Sequence, residues 1–151
     1  MALSPATYVV DTSVVVKWYV EKEESGVGQA IQLLEQFAGG SCMLRAPHLL
    51  LFELANALVA SHRLRVPAVL EALTHLRGLN IDLHSFSWST LARAVDIASA
   101  SGTTIYDSYF LALALETNST LVTADETFLR KTQSYPSVVS LRRLPLSGQD
   151  L

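Results

Sequence analysis

One cysteine, Cys42, stands in 151 residues, so an internal disulfide is excluded, and with no second Cys beside it a cysteine-built zinc site is excluded as well. Packing in the core is the expected role of Cys42, because unpaired cysteine is among the most buried residue types. Charge is also sparse: 17% of residues are charged and the formal net charge is −3. Such a chain has no general attraction for nucleic acid, and any contact of that kind must be local. Lys17, Arg63, Arg65, Arg130 and Lys131 are candidates for a local patch, against the plainer reading of scattered surface cations. Long apolar runs are missing. Leu49 to Phe52 and Tyr109 to Leu115 fall far short of the ~20 residues that cross a bilayer, so no membrane association is expected. The opening Met-Ala-Leu-Ser-Pro lacks a basic segment leading into an apolar one, and a cytoplasmic location is expected.

What is present is apolar. Half the residues are hydrophobic, which argues for a buried core and against disorder, and the length suits one domain over residues 1–151. No repeat, low-complexity tract or linker interrupts it.

Hydrophobic periodicity then orders the elements. Tyr8-Val9-Val10 is β-branched and aromatic and ends at Asp11, with Thr12 and Ser13 offering capping oxygens to a helix that reaches Tyr19. Val27, Ile31 and Leu34 recur at helical spacing until Gly39-Gly40, and a strand over Met43 to Ala46 follows. Pro47 reads as a helix start, with a helix from His48 to Arg65. Another begins at Pro67 with Val69, Leu70, Leu73 and Leu76 facing inward. Ile81, Leu83 and Phe86 suggest a third strand. Trp88 to Ala100 is helical through Leu91, Val95 and Ala98 and is closed by Gly102. A helix over Tyr106 to Glu116 opens at Asp107, a strand spans Thr120 to Thr123, Asp125 opens a short helix through Leu129, and Val138 to Leu141 is the last strand. Strands alternating with helices predict an α/β fold, a mostly parallel sheet covered on both faces.

In such a sheet, ligands gather outside the carboxyl ends of the strands. Asp11, Asp107 and Asp125 all fall at strand or helix ends on one plausible edge. Each also has a plain reading as a helix cap. In Leu49 to Leu58 the only polar residues are Glu53 and Asn56, three apart on one helix face, with no lysine or arginine near in sequence. A carboxylate there must border water or meet a partner, since burial alone is costly. Four acids in one cleft repel, and hard divalent cations with oxygen ligands relieve the repulsion, so magnesium or manganese is the expected guest. Zinc fits less well, because His48 is the only histidine near the acids in sequence, and packing or capping is its plainer role. Thr12 and Ser13 are placed to bond a phosphate, a water or a helix end, and Thr123 to orient Asp125.

The ordered fragments Val9-Val10-Asp11-Thr12-Ser13, Glu53 with Asn56, Tyr106-Asp107-Ser108 running into Leu111-Ala112-Leu113-Ala114, and Leu121-Val122-Thr123-Ala124-Asp125 resemble the PIN domains, and among them the VapC-type toxins. The resemblance runs from about Tyr8 to about Leu141. It implies a three-layer α/β/α sandwich with a mostly parallel central sheet and a metal site built from Asp11, Glu53, Asp107 and Asp125. It further implies magnesium- or manganese-dependent cleavage of single-stranded RNA, often within a structured RNA such as transfer RNA, a homodimer, and a cognate antitoxin whose carboxy-terminal segment covers the active-site groove. Asp11 and Asp107 are then the first choices for direct metal contact, with Asp125 acting directly or through water.

Rival readings are weaker. A phosphatase of the haloacid dehalogenase type needs a second aspartate where Ser13 stands, and a receiver domain needs a late lysine at a strand end that is not found. A catalytically silent scaffold of the same fold stays open, though four acids in register argue against it.

Overall fold

Residues 4–20 and 25–145 are described by a computed structural model of the chain. β-branched and apolar runs without helix-period spacing become β1 (Ala6–Val10), β2 (Cys42–Pro47), β3 (Asp82–His84), β4 (Thr120–Thr123) and β5 (Val138–Ser140). Between them lie α1 (Thr12–Val15), α2 (Val27–Ala38), α3 (Leu49–Asn56), α4 (Val66–Gly78), α5 (Trp88–Ser101), α6 (Ile105–Glu116) and α7 (Glu126–Lys131). All four strand pairings are parallel, in the order β3-β2-β1-β4-β5.

That order determines where a site can form. The chain winds outward from β1 to β2 and β3, then returns to the other side of β1 for β4 and β5. Right-handed crossovers therefore place the helices of the two halves on opposite faces, giving an α/β/α sandwich. The winding reverses between β1 and β4, and a doubly wound sheet binds ligands at the carboxyl end of this switch point. Val10 pairs with Val122, so Asp11 emerges level with Thr123, and the Asp11 N–H continues the ladder to Val122 O at 3.0 Å.

α6 is the central helix. Every residue from Ser108 to Ala114 is buried, as expected of a helix held between the sheet and α5. Its polar groups are satisfied there: the Ser108 and Thr103 hydroxyls share a 2.7 Å bond, and Thr90 donates to Glu116 at 2.6 Å. Phe110, Leu111, Val9, Val10 and Leu121 are fully buried around the helix and strands. Cys42 is buried as expected.

Several boundaries differ from the sequence reading. Pro47 closes β2 opposite His84 rather than starting a helix, and the His48 N–H extends the ladder to His84 O at 2.9 Å. The helix from His48 stops short of Arg65: α3 passes into one turn of π-helix, Ala57–Ser61, and Arg63 then takes a left-handed conformation at φ 52°. Arg63 does what glycine commonly does at a helix end, so no composition signal marks the stop. In α4 the buried line is Val69, Ala72 and Leu76, with Leu70 exposed, because the helix rests on α3 and the π turn by a narrow stripe. In α5 the buried line is Thr90, Ala94 and Ile97 rather than Leu91, Val95 and Ala98. Small side chains let α5 approach α6 closely, and the Thr90 bond to Glu116 fixes that rotation. β3 is three residues long, and Phe86 lies beyond it, exposed.

Candidate active site

Asp11 follows β1 at the N-cap position of α1, yet its side chain caps nothing. Its backbone carbonyl accepts from the Val14 and Val15 N–H groups, which frees the carboxylate for other partners. Two hydroxyls donate to the same oxygen, Oδ2: Ser13 from α1 and Thr123 from β4, the latter at 2.9 Å. Each hydroxyl is in turn fixed by the backbone after β4. The Ala124 N–H donates to Ser13 Oγ at 2.9 Å, and the Asp125 N–H donates to Thr123 Oγ1 at 3.1 Å. Thr123 thus orients Asp11, not the Asp125 carboxylate as its position in sequence suggests. Ser13 and Thr123 together stitch the ends of β1 and β4 across the switch point.

Glu53 extends from α3 toward this point and accepts a 2.7 Å bond from Thr12 Oγ1. Its partner is a hydroxyl next to Asp11 and not a cation. Asn56, one helical turn on, is exposed, and among the described residues no hydrogen bond joins it to the acids.

Asp107 does not open α6. Thr104 is the cap, accepting from the Asp107 N–H at 3.0 Å, so Asp107 sits in the first turn. Thr104-Ile105-Tyr106-Asp107 is a Thr-x-x-acid capping pattern, and this signal could have placed the cap from sequence. Asp125 is a true cap of α7, accepting from the Phe128 N–H at 3.0 Å. That role is compatible with a second one, since the bond occupies one of its two oxygens.

The acids feel one another. Burial pushes Asp11 above its ordinary pKa, the Ser13 and Thr123 hydroxyls offset part of this, and the Asp107 charge adds to it. Burial likewise raises Glu53, opposed by the Thr12 hydroxyl and reinforced by the charges of Asp11 and Asp107. Asp107 is raised by burial, lowered by its bond to Thr104, raised again by Asp125 and lowered by Lys131. Asp11, Glu53 and Asp107 are therefore electrostatic neighbours, and Asp125 acts on Asp107. Lys131, from the expected basic patch, donates to Gly102 O at 3.0 Å and acts on Asp107.

As a donor set these residues offer oxygen only, with like charges held partly out of water. That chemistry fits a hard divalent cation and does not fit zinc, which prefers nitrogen and sulfur. Cys42 lies in the core and His48 lines an apolar hollow. Among the described residues no three His, Cys, Asp or Glu side chains already converge closely enough to hold a metal ion.

The model of the PIN domain family matches residues 8–133. No curated protein sequence matches the chain. Among solved structures, a Pyrobaculum aerophilum protein is similar at a TM-score of 0.66 and 23% identity, covering 91% of this chain and 85% of its own. The Mycobacterium tuberculosis toxin VapC20, described as cleaving the sarcin-ricin loop, gives a TM-score of 0.66 at 14% identity over 83% of this chain and 95% of that one. A toxin-antitoxin complex from Klebsiella pneumoniae gives 0.65 at 16% identity over 89% of this chain and 97% of that one. These likenesses are of fold. The family match spans the edge from β1 to the end of α7, with all four acids inside it, and the chain belongs to the PIN domain family.

Proposed function

We propose that the protein is a magnesium- or manganese-dependent endoribonuclease, hydrolysing phosphodiester bonds in single-stranded RNA as the toxin of a toxin-antitoxin pair. The observation that carries this reading is the coupled carboxylate rim of Asp11, Glu53 and Asp107 at the switch point, with Asp125 beside Asp107. Family membership supports nuclease chemistry, and several structures of similar fold are toxins or toxin-antitoxin complexes.

Asp11, Glu53 and Asp107 would hold the cation, with Asp125 placed to act directly or through water. When bound, the cation supplies Lewis acidity, which makes water nucleophilic near neutral pH and offsets charge on the phosphate. The chain's own residues supply position. Ser13 and Thr123 lock the Asp11 carboxylate to the sheet edge, and Thr12 locks Glu53 to the same turn. A pinned donor loses little freedom on binding, which is why such supporting bonds commonly matter 10–100-fold. The rim's excess negative charge repels RNA until it is neutralised, so binding of substrate and of cation should be mutually reinforcing.

Partners follow from the same reading: a cognate antitoxin covering the groove, a second copy in a homodimer, RNA such as transfer RNA as substrate, and the cytoplasm as the setting. No helix among the described residues is long and apolar enough to cross a membrane. The test is incubation of the purified protein, free of antitoxin, with bacterial RNA in magnesium, manganese or EDTA. Metal-dependent fragments are expected; cleavage that persists in EDTA, or none in either metal, contradicts the reading.

A further inference from the structure

Two of the site acids are each preceded by an exposed aromatic residue: Phe52, 77% exposed, before Glu53, and Tyr106, 62% exposed, before Asp107. Both aromatics line one hollow of about 290 Å³ together with Phe86, Tyr109, His48 and His84. His84 ends β3 and His48 directly follows β2, so the hollow lies on the carboxyl edge of the sheet that carries Asp11, displaced toward β2 and β3. The acid rim and the aromatic hollow are thus continuous along one edge, linked through α3 and α6.

We infer that this hollow holds an unpaired nucleobase of the RNA, next to the phosphate presented to the acids. The inference rests on the nuclease reading above. A single strand drawn across Asp11, Glu53 and Asp107 must put a neighbouring base on one side of the rim, and on the β2–β3 side it meets the aromatic lining of the hollow. Single-stranded RNA is held in this way, by unstacked bases on aromatic and histidine rings. The rings face solvent, and large exposed apolar patches mark interaction sites. Phe86 packs edge-on against Trp88, ring centroids 5.0 Å apart, which steadies Phe86 as one wall. The Tyr109 hydroxyl accepts from the Ser87 N–H at 3.1 Å, fixing that ring as well. The volume is at the small end for ligand pockets, about 300–1,000 Å³, and suits one ring system better than the row of anchors an amphipathic helix lays along a groove.

Trp88 is 78% exposed and reports on the hollow by fluorescence, while Trp18 is tied to Ala30 O at 2.8 Å and gives a constant background. Two measurements on the full chain test the inference. In magnesium, read before cleavage sets in and with Trp88→Phe as the control for assignment, an oligoadenylate should quench Trp88 and a base-free ribose-phosphate strand of equal length should not. In magnesium or manganese, Phe52→Ala and Tyr106→Ala should raise KM for single-stranded RNA about 5- to 150-fold, the range for one lost base stack, with kcat little changed. Phe52→Trp should restore KM. Both aromatics are largely exposed, so the variants should keep the wild-type Tm. Equal quenching by the base-free strand, or an unchanged KM, overturns the inference. Variants that sediment at lower mass with KM unchanged assign the face to a second copy of the chain and overturn it too. If the wild type cleaves no RNA, the nuclease reading fails and the quenching comparison still decides whether a base binds here.

Discussion

Replacing Asp11 with Asn separates what the carboxylate costs the metal-free fold from what it does for metal binding. The amide has the same shape, and its oxygen can accept the Ser13 and Thr123 hydroxyl bonds now made to Oδ2. Bonds to a charged acceptor contribute about 1.5–3 kcal/mol and neutral ones about 0.5–1.5, so the weaker hydroxyl bonds, taken by themselves, count against the variant. The raised pKa of Asp11 shows that burial and the Asp107 charge outweigh those bonds in the ionised state. The folded protein therefore prefers a neutral group here more than the unfolded chain does, and at neutral pH Asp11→Asn should be more stable than wild type without metal. With metal the order should reverse. A ligand at 100 times its Kd adds about 2.7 kcal/mol, and each kcal/mol moves Tm by about 2–4 °C in a domain of this size, so wild type should gain roughly 5–11 °C. The variant should gain little. Thermal unfolding followed by far-ultraviolet circular dichroism, with magnesium, manganese or EDTA, gives all four values. A variant less stable than wild type in EDTA, or one that keeps the full metal shift, refutes the reasoning.

Three further outcomes follow. Thr12→Val removes the 2.7 Å bond to Glu53 and should lower metal affinity or cleavage about 10–100-fold with Tm in EDTA within a few degrees, read by metal titration of the cleavage rate. Asp11, Glu53 and Asp107 all have raised pKa values, so in EDTA the stability they contribute is present below the ordinary carboxylate range and is lost as pH rises through their folded values. Tm measured against pH should fall through that window, and Asp11→Asn should make the fall shallower; a steeper fall contradicts the coupling. Asp82, lowered chiefly by its bond to Arg45, runs the opposite way and should lose its contribution in acid. Gly102 closes α5 at φ +68° with nothing within 4 Å of an added Cβ, so Gly102→Ala should cost about 1–2 kcal/mol from backbone strain alone, seen as a lower urea midpoint at unchanged slope.

The parallel α/β architecture was legible because β-branched runs and 3.6-residue periodicity alternate clearly, and Thr120–Thr123 is found as read. The Asp11 and Asp125 positions followed from strand ends, and Glu53 from its isolation among leucines. What was hidden depends on contacts distant in sequence. Thr123 lies two residues from Asp125 and 112 from Asp11, and only the β1–β4 register shows which acid it holds. In α4 Val69 and Leu76 are buried as read and Leu73 packs against the core, while Leu70 is exposed; in α5 Leu91 packs against the core but Val95 is exposed, and the fully buried line runs through Thr90, Ala94 and Ile97. Phe86 was read into the third strand, yet it lies beyond it, and Phe86, Phe52 and Tyr106 are all exposed. Asn56 shared a helix face with Glu53 in sequence, but α3 leaves it facing solvent.

The central claim is that the Asp11, Glu53 and Asp107 rim drives hydrolysis of RNA through a bound cation and water, with no nucleophile from the protein or from the RNA itself. The direct measurement is the chemistry of the new ends when single-stranded RNA is cut in magnesium or manganese, with Asp107→Asn run in parallel. Attack by water needs no ribose 2′-hydroxyl, so ends without a 2′,3′-cyclic phosphate are expected, formed only with metal and not by the variant. Cyclic phosphate ends, or equal cleavage by Asp107→Asn, would contradict the account.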